Sequence, residues 1–441
     1  MMSGMFLTVF SLQKAIFHSI PGLEVYVMFF RNSGQNIPRL TLPLLSAIYL
    51  VAVFLRSSPS VLALDLVETF QVTFTEVSVL SGGTMLAYGL VQIPAGILAD
   101  RFGGRRITFI MTLLMACGTL LFAAAQNITS AAIARFITGL GSACLVPSLV
   151  LLAHLLPPKH FAGANAFVLF IGHMGMLAAS APLAFLDGLV GWRLVMGACG
   201  FLALALALFL YFGMEENSQP LTEASDVGTA RTLFTTFQKL VSTPHLLPLM
   251  MTYCLHVAVF YSLVSFWWTP FLLEGKGLPG QFPGAVMFIG VVALVILFPL
   301  VPKLTCRLGG HRPTIMFLLA LALVSVLGMC LLSSASMLAL SGVVFIAAGA
   351  AATSVFTSLK ELVPVSCLGL ANGCLSTLPF ILSPVFQWAF GAVLEWRFAY
   401  EVPAEAFTQA MYVHVAGIGL ALFCCLCVRE TYRDTLYEQM N

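Results

Sequence analysis

Charge is scarce in this chain. Of 441 residues only 9% are Asp, Glu, Lys or Arg, while 60% are apolar. A soluble domain carries about a quarter charged residues, so a water-facing surface over the whole chain is excluded. Acidic residues are scarcest where they would cost most: none stands at the middle of a long apolar run. No Walker loop is present, which removes ATP as a driver. His, Cys, Asp and Glu show no metal-ligand spacing, and no Ser/His/Asp set shares one depth. No metal, cofactor or enzymatic activity is therefore expected. A net charge of +2 gives no footing for nucleic acid. The eleven cysteines are scattered through apolar runs and read as small buried hydrophobes. Cys424, Cys425 and Cys427 read the same way, with acylation as the alternative.

What remains is lipid-compatible. Mean hydropathy is +0.99. A bilayer core offers no partner to a bare backbone N–H or C=O, so only helices or closed barrels cross it. Barrel strands alternate over about ten residues, whereas the apolar runs here are long and unbroken. The fold class is all-α: a polytopic membrane protein with twelve transmembrane helices in two six-helix bundles. The spacing predicts spans over 40–62, 75–98, 107–125, 130–154, 163–186, 194–213, 245–273, 283–302, 314–332, 337–360, 368–392 and 406–428. Residues 40–213 form the first bundle and 245–428 the second. The polar stretch 214–244, with Glu215, Glu216, Glu223 and Asp226, is a linker, and 429–441 a tail. Residues 1–39 are a separate segment. Its first part is apolar but broken by Lys14, His18, Pro21 and Glu24, and lacks a signal-peptide cleavage site. It is either an interfacial helix or an over-called start with Met28 as the initiator.

Orientation follows from the basic residues. Fifteen Lys and Arg fall on the side of the termini and the linker, against Arg56, Arg193, Lys276 and Arg397 on the other, with Arg135 inside a span. The excess places both termini in the cytoplasm. Trp192, Trp267, Trp268 and Trp396 fall at outer span ends, where an aromatic belt belongs.

The halves repeat. Arg101, Gly103 and Gly104 between spans two and three recur 206 residues later as Arg307, Gly309 and Gly310. Pro157 and Asn165 recur at an offset of 207 as Pro364 and Asn372. Two bundles related by an axis along the membrane normal, with a site between them at mid-depth, explain both echoes.

The loop Gly96, Asp100, Arg101, Gly103, Gly104, Arg105, Arg106 resembles the signature loop of the major facilitator superfamily, and stands between the same two spans. Gly191-Trp192-Arg193 and Ala134-Arg135-Phe136 with Gly139 and Gly141 resemble that family too. The resemblance covers roughly residues 40 to 430. It implies transport by rocker-switch alternating access. It also implies that Gly96, Asp100, Arg101, Gly103, Arg105 and Arg307 take part in gating, with Asp100 as a latch that pairs with Arg105 and the start of span eleven in the outward-facing state. The second loop departs from the pattern: Cys306 stands in place of Asp100 and Pro302 in place of Gly96, so a weaker second latch is expected. Span five has Ala181-Pro182 where drug antiporters are glycine-rich.

Polar groups inside a bilayer are costly and are candidates for function. They are Arg56, Tyr88, Gln92, Arg135, His173, Tyr253 and His256. Arg56 either lines a cavity and pairs an anion or snorkels to headgroups. Arg135 is either a substrate or proton-relay residue or a structural one. His173 and His256 either meet substrate or a proton or bond to a neighbouring helix; Tyr253, His256 and Phe260 share one helix face. Gln387 and Trp388 are weaker candidates. An arginine without a matching acid points to an anionic or zwitterionic solute: a carboxylate, amino acid or small peptide. The expected partners are that small molecule, a proton as candidate co-substrate, and the bilayer, with the chain a monomer in a bacterial inner membrane. The alternatives are a drug/proton antiporter and, in another class, a transporter-like receptor or lipid-handling scaffold without flux.

Overall fold

The structure, a computed structural model, describes residues 40–156, 158–213, 245–363, 365–398 and 402–431. The expectations for 1–39, for the linker 214–244 and for most of the tail fall outside the described residues. Among the described residues there are eleven helices long and apolar enough to cross a membrane, twelve spans when the bent α5 is counted as one, and no strand. In the first half they are α1 (Thr41–Phe70), α2 (Phe74–Phe102), α3 (Gly104–Ala124), α4 (Ile128–Leu155), α5 and α6 (Trp192–Gly213). The bent α5 consists of Pro158–Ala178 and Ala181–Val190. The second half holds α7 (Leu246–Gly275), α8 (Phe282–Leu308), α9 (His311–Leu331), α10 (Ala335–Leu362), α11 (Val365–Phe398) and α12 (Pro403–Leu426). We call the side on which α6 ends and α7 begins the linker side, and the opposite one the far side.

Local chemistry sets the helix ends. Thr73 and Glu76 form a reciprocal capping box that starts α2. Asn127 and Ser130 do the same for α4. Gly103 (φ 89°) and Gly309 (φ 76°) stand at equivalent positions and take left-handed backbone that a side chain resists. Proline explains the bends. Pro182 opens the second piece of α5 where its axis turns by 47°. Pro270 lies between two π-helical turns, Leu263–Trp267 and Phe271–Gly275, in α7.

Two spans are enclosed more than the rest: over an apolar stretch of 18 residues, 83% of α1 and 72% of α7 lie inside the protein, against 33% of α6. Apolar side chains such as Phe201 and Phe212 on α6, Val324 on α9 and Phe423 on α12 face outward. The halves meet through α2 against α11 and α5 against α8, at contacts where Gly89 touches Ile381 and Gly284 touches Ala181. Hydrogen bonds between described residues of the two halves all lie on the far side. Ser60 Oγ and Thr269 Oγ1 are 3.2 Å apart, Thr73 Oγ1 donates to Glu395 at 3.0 Å, and Thr75 Oγ1 donates to the Gly391 carbonyl at 3.1 Å.

Cations close the open ends of helices, and they do so twice. Arg105 donates to the Leu210 and Tyr211 carbonyls that end α6. Arg312 donates to the Leu426 carbonyl that ends α12, at 2.7 Å. On the far side Arg193 serves Ala123 and Ala125 after α3, and Lys276 serves Cys330 and Leu332 after α9. Each cation meets carbonyls that have no helical donor. Burial also pushes the Lys276 ammonium below the usual lysine range.

Three features differ from the sequence-based expectations. The first span runs eight residues further, to Phe70, because Asp65 and Glu68 continue the helix beyond its apolar part. Trp267 and Trp268 are fully buried and donate to the carbonyls of Gln387 and Pro283, so they belong to the core. Trp192 is buried as well, and only Trp396 of the four suits a belt, at 59% exposure. Near the second loop, where Cys306 stands in place of Asp100, two carboxylates come from elsewhere in the chain: Glu430 accepts from the His311 and Arg312 amides at 3.0 and 2.9 Å, and Glu361 lies 3.5 Å from His311.

Close helix packing rests on glycine. A Cβ on Gly141 would stand 2.1 Å from the Met115 amide nitrogen. Gly141→Val should destabilise the fold by at least about 1–3 kcal/mol, read as a lower melting temperature in detergent. An unchanged melting curve would refute the α3–α4 contact.

Candidate functional site

Four side chains from four spans share one depth. Arg56, His173, Tyr261 and Phe380 each stand fifteen residues in from the start of their helices, at Thr41, Pro158, Leu246 and Val365. At 1.5 Å per residue that is about 22 Å from the linker side, near the middle of the bilayer. Tyr88 lies midway along α2. The repeat pairs these positions: Tyr261 is in α7 where Arg56 is in α1, and Phe380 is in α11 where His173 is in α5. The first half supplies basic groups at positions where the second supplies aromatic rings.

Arg56 is the centre of the group. It is 4% exposed, and its Nη1 is buried without a hydrogen-bond partner. The guanidinium lies 4.0 Å from the centroid of the Tyr88 ring, with Tyr49 at 5.9 Å and Phe380 at 5.8 Å. Tyr88 and Phe380 meet edge to face at 4.6 Å, and Tyr261 packs against Phe380 at 4.8 Å. No carboxylate among the described residues pairs with Arg56. The rings attract the cation, but they do not neutralise it.

The neighbouring backbone is braced. Pro59 carries no N–H, so the Leu55 carbonyl four residues earlier loses its helical donor. Arg135 Nη2 supplies one at 2.9 Å and Ser58 Oγ another at 3.0 Å. That contact favours the structural reading of Arg135, which holds α1 next to Arg56. Tyr49 is seated in the same way by α5, because a Cβ on Gly172 would come within 2.2 Å of its ring.

The other candidates divide. His173 is half-buried beside the group, donates from Nδ1 to the Leu169 carbonyl at 2.7 Å, and meets Phe298 of α8 at 5.8 Å. Gln92 is buried one turn below Tyr88. Tyr253 packs on Phe356 and Phe260 on Phe345, both of α10, and Tyr253 also interacts electrostatically with Tyr261, Tyr88 and Tyr49 of the group around Arg56. Gln387 joins α11 to α7 through Ser265 at 3.1 Å. Asp100 makes no ion pair with a described residue, and its expected partner Arg105 is engaged by α6. Gly96 meets only Val146, at 3.2 Å, while Gly104 is the tightly packed glycine, with the Leu151 amide at 2.5 Å from a built Cβ. Arg101 and Arg307 are exposed at the linker side.

Tyr49, Tyr261 and Phe380 were not among the sequence candidates. Two signals mark them. Tyr49 precedes Arg56 by two helical turns and shares its face, and Phe380 stands at the repeat offset of 207 from His173, whereas Tyr261, at 205 from Arg56, falls short of it.

The sequence profile described as Major Facilitator Superfamily matches residues 45–400. The chain belongs to this superfamily. Relatives within it include the 3-(3-hydroxy-phenyl)propionate transporter of Escherichia coli, 28% identical over 53% of this chain and 58% of its own length. The 4-hydroxybenzoate transporter PcaK of Pseudomonas aeruginosa is 25% identical over 46% and 52%. A multidrug resistance protein B homolog of Mycobacterium tuberculosis is 36% identical over 29% of this chain and 25% of its own. The matches thus span little more than half of these relatives at most. The fold of the superfamily member agrees with that of a bacterial homolog of the human lysosomal transporter Spinster, with a TM-score of 0.73, 20% identity and coverage of 89% and 98%. The D-xylose–proton symporter gives 0.69, 16%, 88% and 98%.

A ring face over Arg56 is the property that Tyr88 supplies, and phenylalanine keeps it. Tyr88→Phe should retain ligand affinity, whereas Tyr88→Leu should weaken it about 5- to 30-fold, for a desolvated contact of about 1–2 kcal/mol. Titration calorimetry with an aromatic acid in detergent would check this; equal losses in both variants would discount the ring contact.

Proposed function

We propose that this superfamily member is a transporter that carries a small organic anion, an aromatic carboxylate, across a cytoplasmic membrane by alternating access. The observation that carries the reading is the buried guanidinium of Arg56 among Tyr49, Tyr88, Tyr261 and Phe380, with Nη1 lacking a hydrogen-bond partner and no carboxylate among the described residues paired to it. An unpaired buried charge costs several kcal/mol, and a bound carboxylate offsets that cost. The rings around it suit a flat apolar body. The names of two relatives, for a phenylpropionate and a hydroxybenzoate, agree. A hydrophobic cation is repelled by the same guanidinium, which disfavours the drug antiporter despite the multidrug relative.

The excess of Lys and Arg supports a cytoplasmic linker side with both termini inside. On that orientation the far-side bonds close the exterior, and the conformation is inward-facing. The unpaired Asp100 then suits a latch that engages only in the outward-facing state.

Arg56→Gln should weaken binding of 3-(3-hydroxyphenyl)propionate by at least about 30-fold, since loss of a buried charge partner costs about 2–5 kcal/mol. It should also abolish uptake into proteoliposomes, with Arg56→Lys retaining part of both. Unaltered binding by Arg56→Gln would remove the anion site. Binding by the wild type without any flux would favour a receptor.

A further inference from the structure

Carboxylates are placed only at the ends of the described spans. Asp65, Glu68, Glu76, Asp187, Glu274, Glu395 and Glu405 are on the far side, and Asp100, Glu361 and Glu430 on the linker side. At mid-depth the side chains that can exchange a proton near neutral pH are histidines. His256 is 3% exposed and His414 fully buried, with Nε2 of His414 bonded to Ser262 Oγ at 2.9 Å. His173 differs from both. It is half-buried, at the interface with α8, and its Nδ1 is committed to the Leu169 carbonyl at 2.7 Å. That bond fixes the neutral ring as the Nδ1–H tautomer and leaves the Nε2 lone pair as a base.

His173 is also tied to the anion site. Gly172, its neighbour in sequence, seats the Tyr49 ring, and Tyr49 lies 5.9 Å from the Arg56 guanidinium. The titratable and charged groups around it are few. From α1 they are Tyr49 and Arg56. The α8 side presents Phe298. From α4 they are Arg135, bonded to the Leu55 carbonyl, and Cys144, which interacts electrostatically with Arg56, while His154 and Asp187 stand at opposite span ends.

We propose that His173 is the proton-binding site that couples transport, so that a carboxylate on Arg56 and a proton on His173 Nε2 cross together. This rests on the anion reading of Arg56. The physical reason is charge. Arg56 and His173 are within electrostatic reach of one another, and two cations away from water repel, so an empty site with a charged Arg56 keeps His173 neutral. A carboxylate on Arg56 removes the repulsion and admits the proton. Empty, the site carries one positive charge, from Arg56. Loaded, it holds the guanidinium, the carboxylate and the imidazolium, and its net charge is again one positive. The halves therefore rock with the same charge whether empty or full, and the cargo is a neutral pair of anion and proton. No carboxylate relay is required.

The test uses the full chain in proteoliposomes with radiolabelled 4-hydroxybenzoate as probe and the membrane potential clamped. With the exterior acidic by one unit, the wild type should accumulate the anion toward about tenfold, the limit for one proton per anion. His173→Gln should lose that accumulation yet still exchange labelled for unlabelled probe with no gradient, and the exchange also shows that the variant is folded. Accumulation by His173→Gln at the wild-type level overturns the proposal. So does wild-type accumulation that ignores the pH gradient. Loss of exchange together with accumulation in His173→Gln also overturns it, since His173 would then hold substrate rather than the coupling proton. A wild type that neither binds nor exchanges the probe brings down the anion reading, and with it this inference, a result distinct from exchange without accumulation.

Discussion

A guanidinium in the middle of a membrane, without a carboxylate to meet it, is the constraint on which this structure turns. Arg56 sits halfway along α1, the most enclosed of the twelve spans. Desolvating such a charge costs several kcal/mol, and the ring faces of Tyr88 and Tyr49 return only part of that. The surroundings are organised to tolerate the deficit rather than to remove it. Arg135 and Ser58 hold the backbone that Pro59 leaves open. Gly172 lets Tyr49 lie beside the cation. What no described residue supplies there is a negative charge.

The two halves share a scaffold and divide the chemistry. Their loops turn at Gly103 and Gly309, and Arg105 and Arg312 close α6 and α12. At mid-depth the equivalence stops at the backbone: Arg56 answers to Tyr261 and His173 to Phe380. The first half places basic groups at this depth and the second aromatic rings. The second half also supports its loop differently, with Glu430 on the start of α9 where the sequence suggests a bare Cys306.

Much of this was legible in the sequence, and the boundary is instructive. The scarcity of charge, the long apolar runs, the loop at Gly96–Arg106 and the offset of 206 residues determined helix number, order and family. They also located Arg56, Tyr88 and His173 as costly polar residues. Depth along a span can be counted, so mid-membrane residues can be found from the chain alone. The repeat offset would equally have led from His173 to Phe380.

Direction around each helix was decided only by the tertiary structure. A span that is apolar on every side carries no amphipathic stripe to say which face meets protein and which meets lipid. For that reason Trp267 and Trp268 read as belt residues yet lie in the core. Tyr253 reads as a site residue, and only the packing shows that its ring also meets Phe356 of α10. Arg135 and Arg105 were visible as charges, but not as donors to the carbonyls of α1 and α6. The sequence by itself determined which groups lie at which depth. The packing of the helices decided which of them meet, because that depends on rotations that apolar residues do not encode.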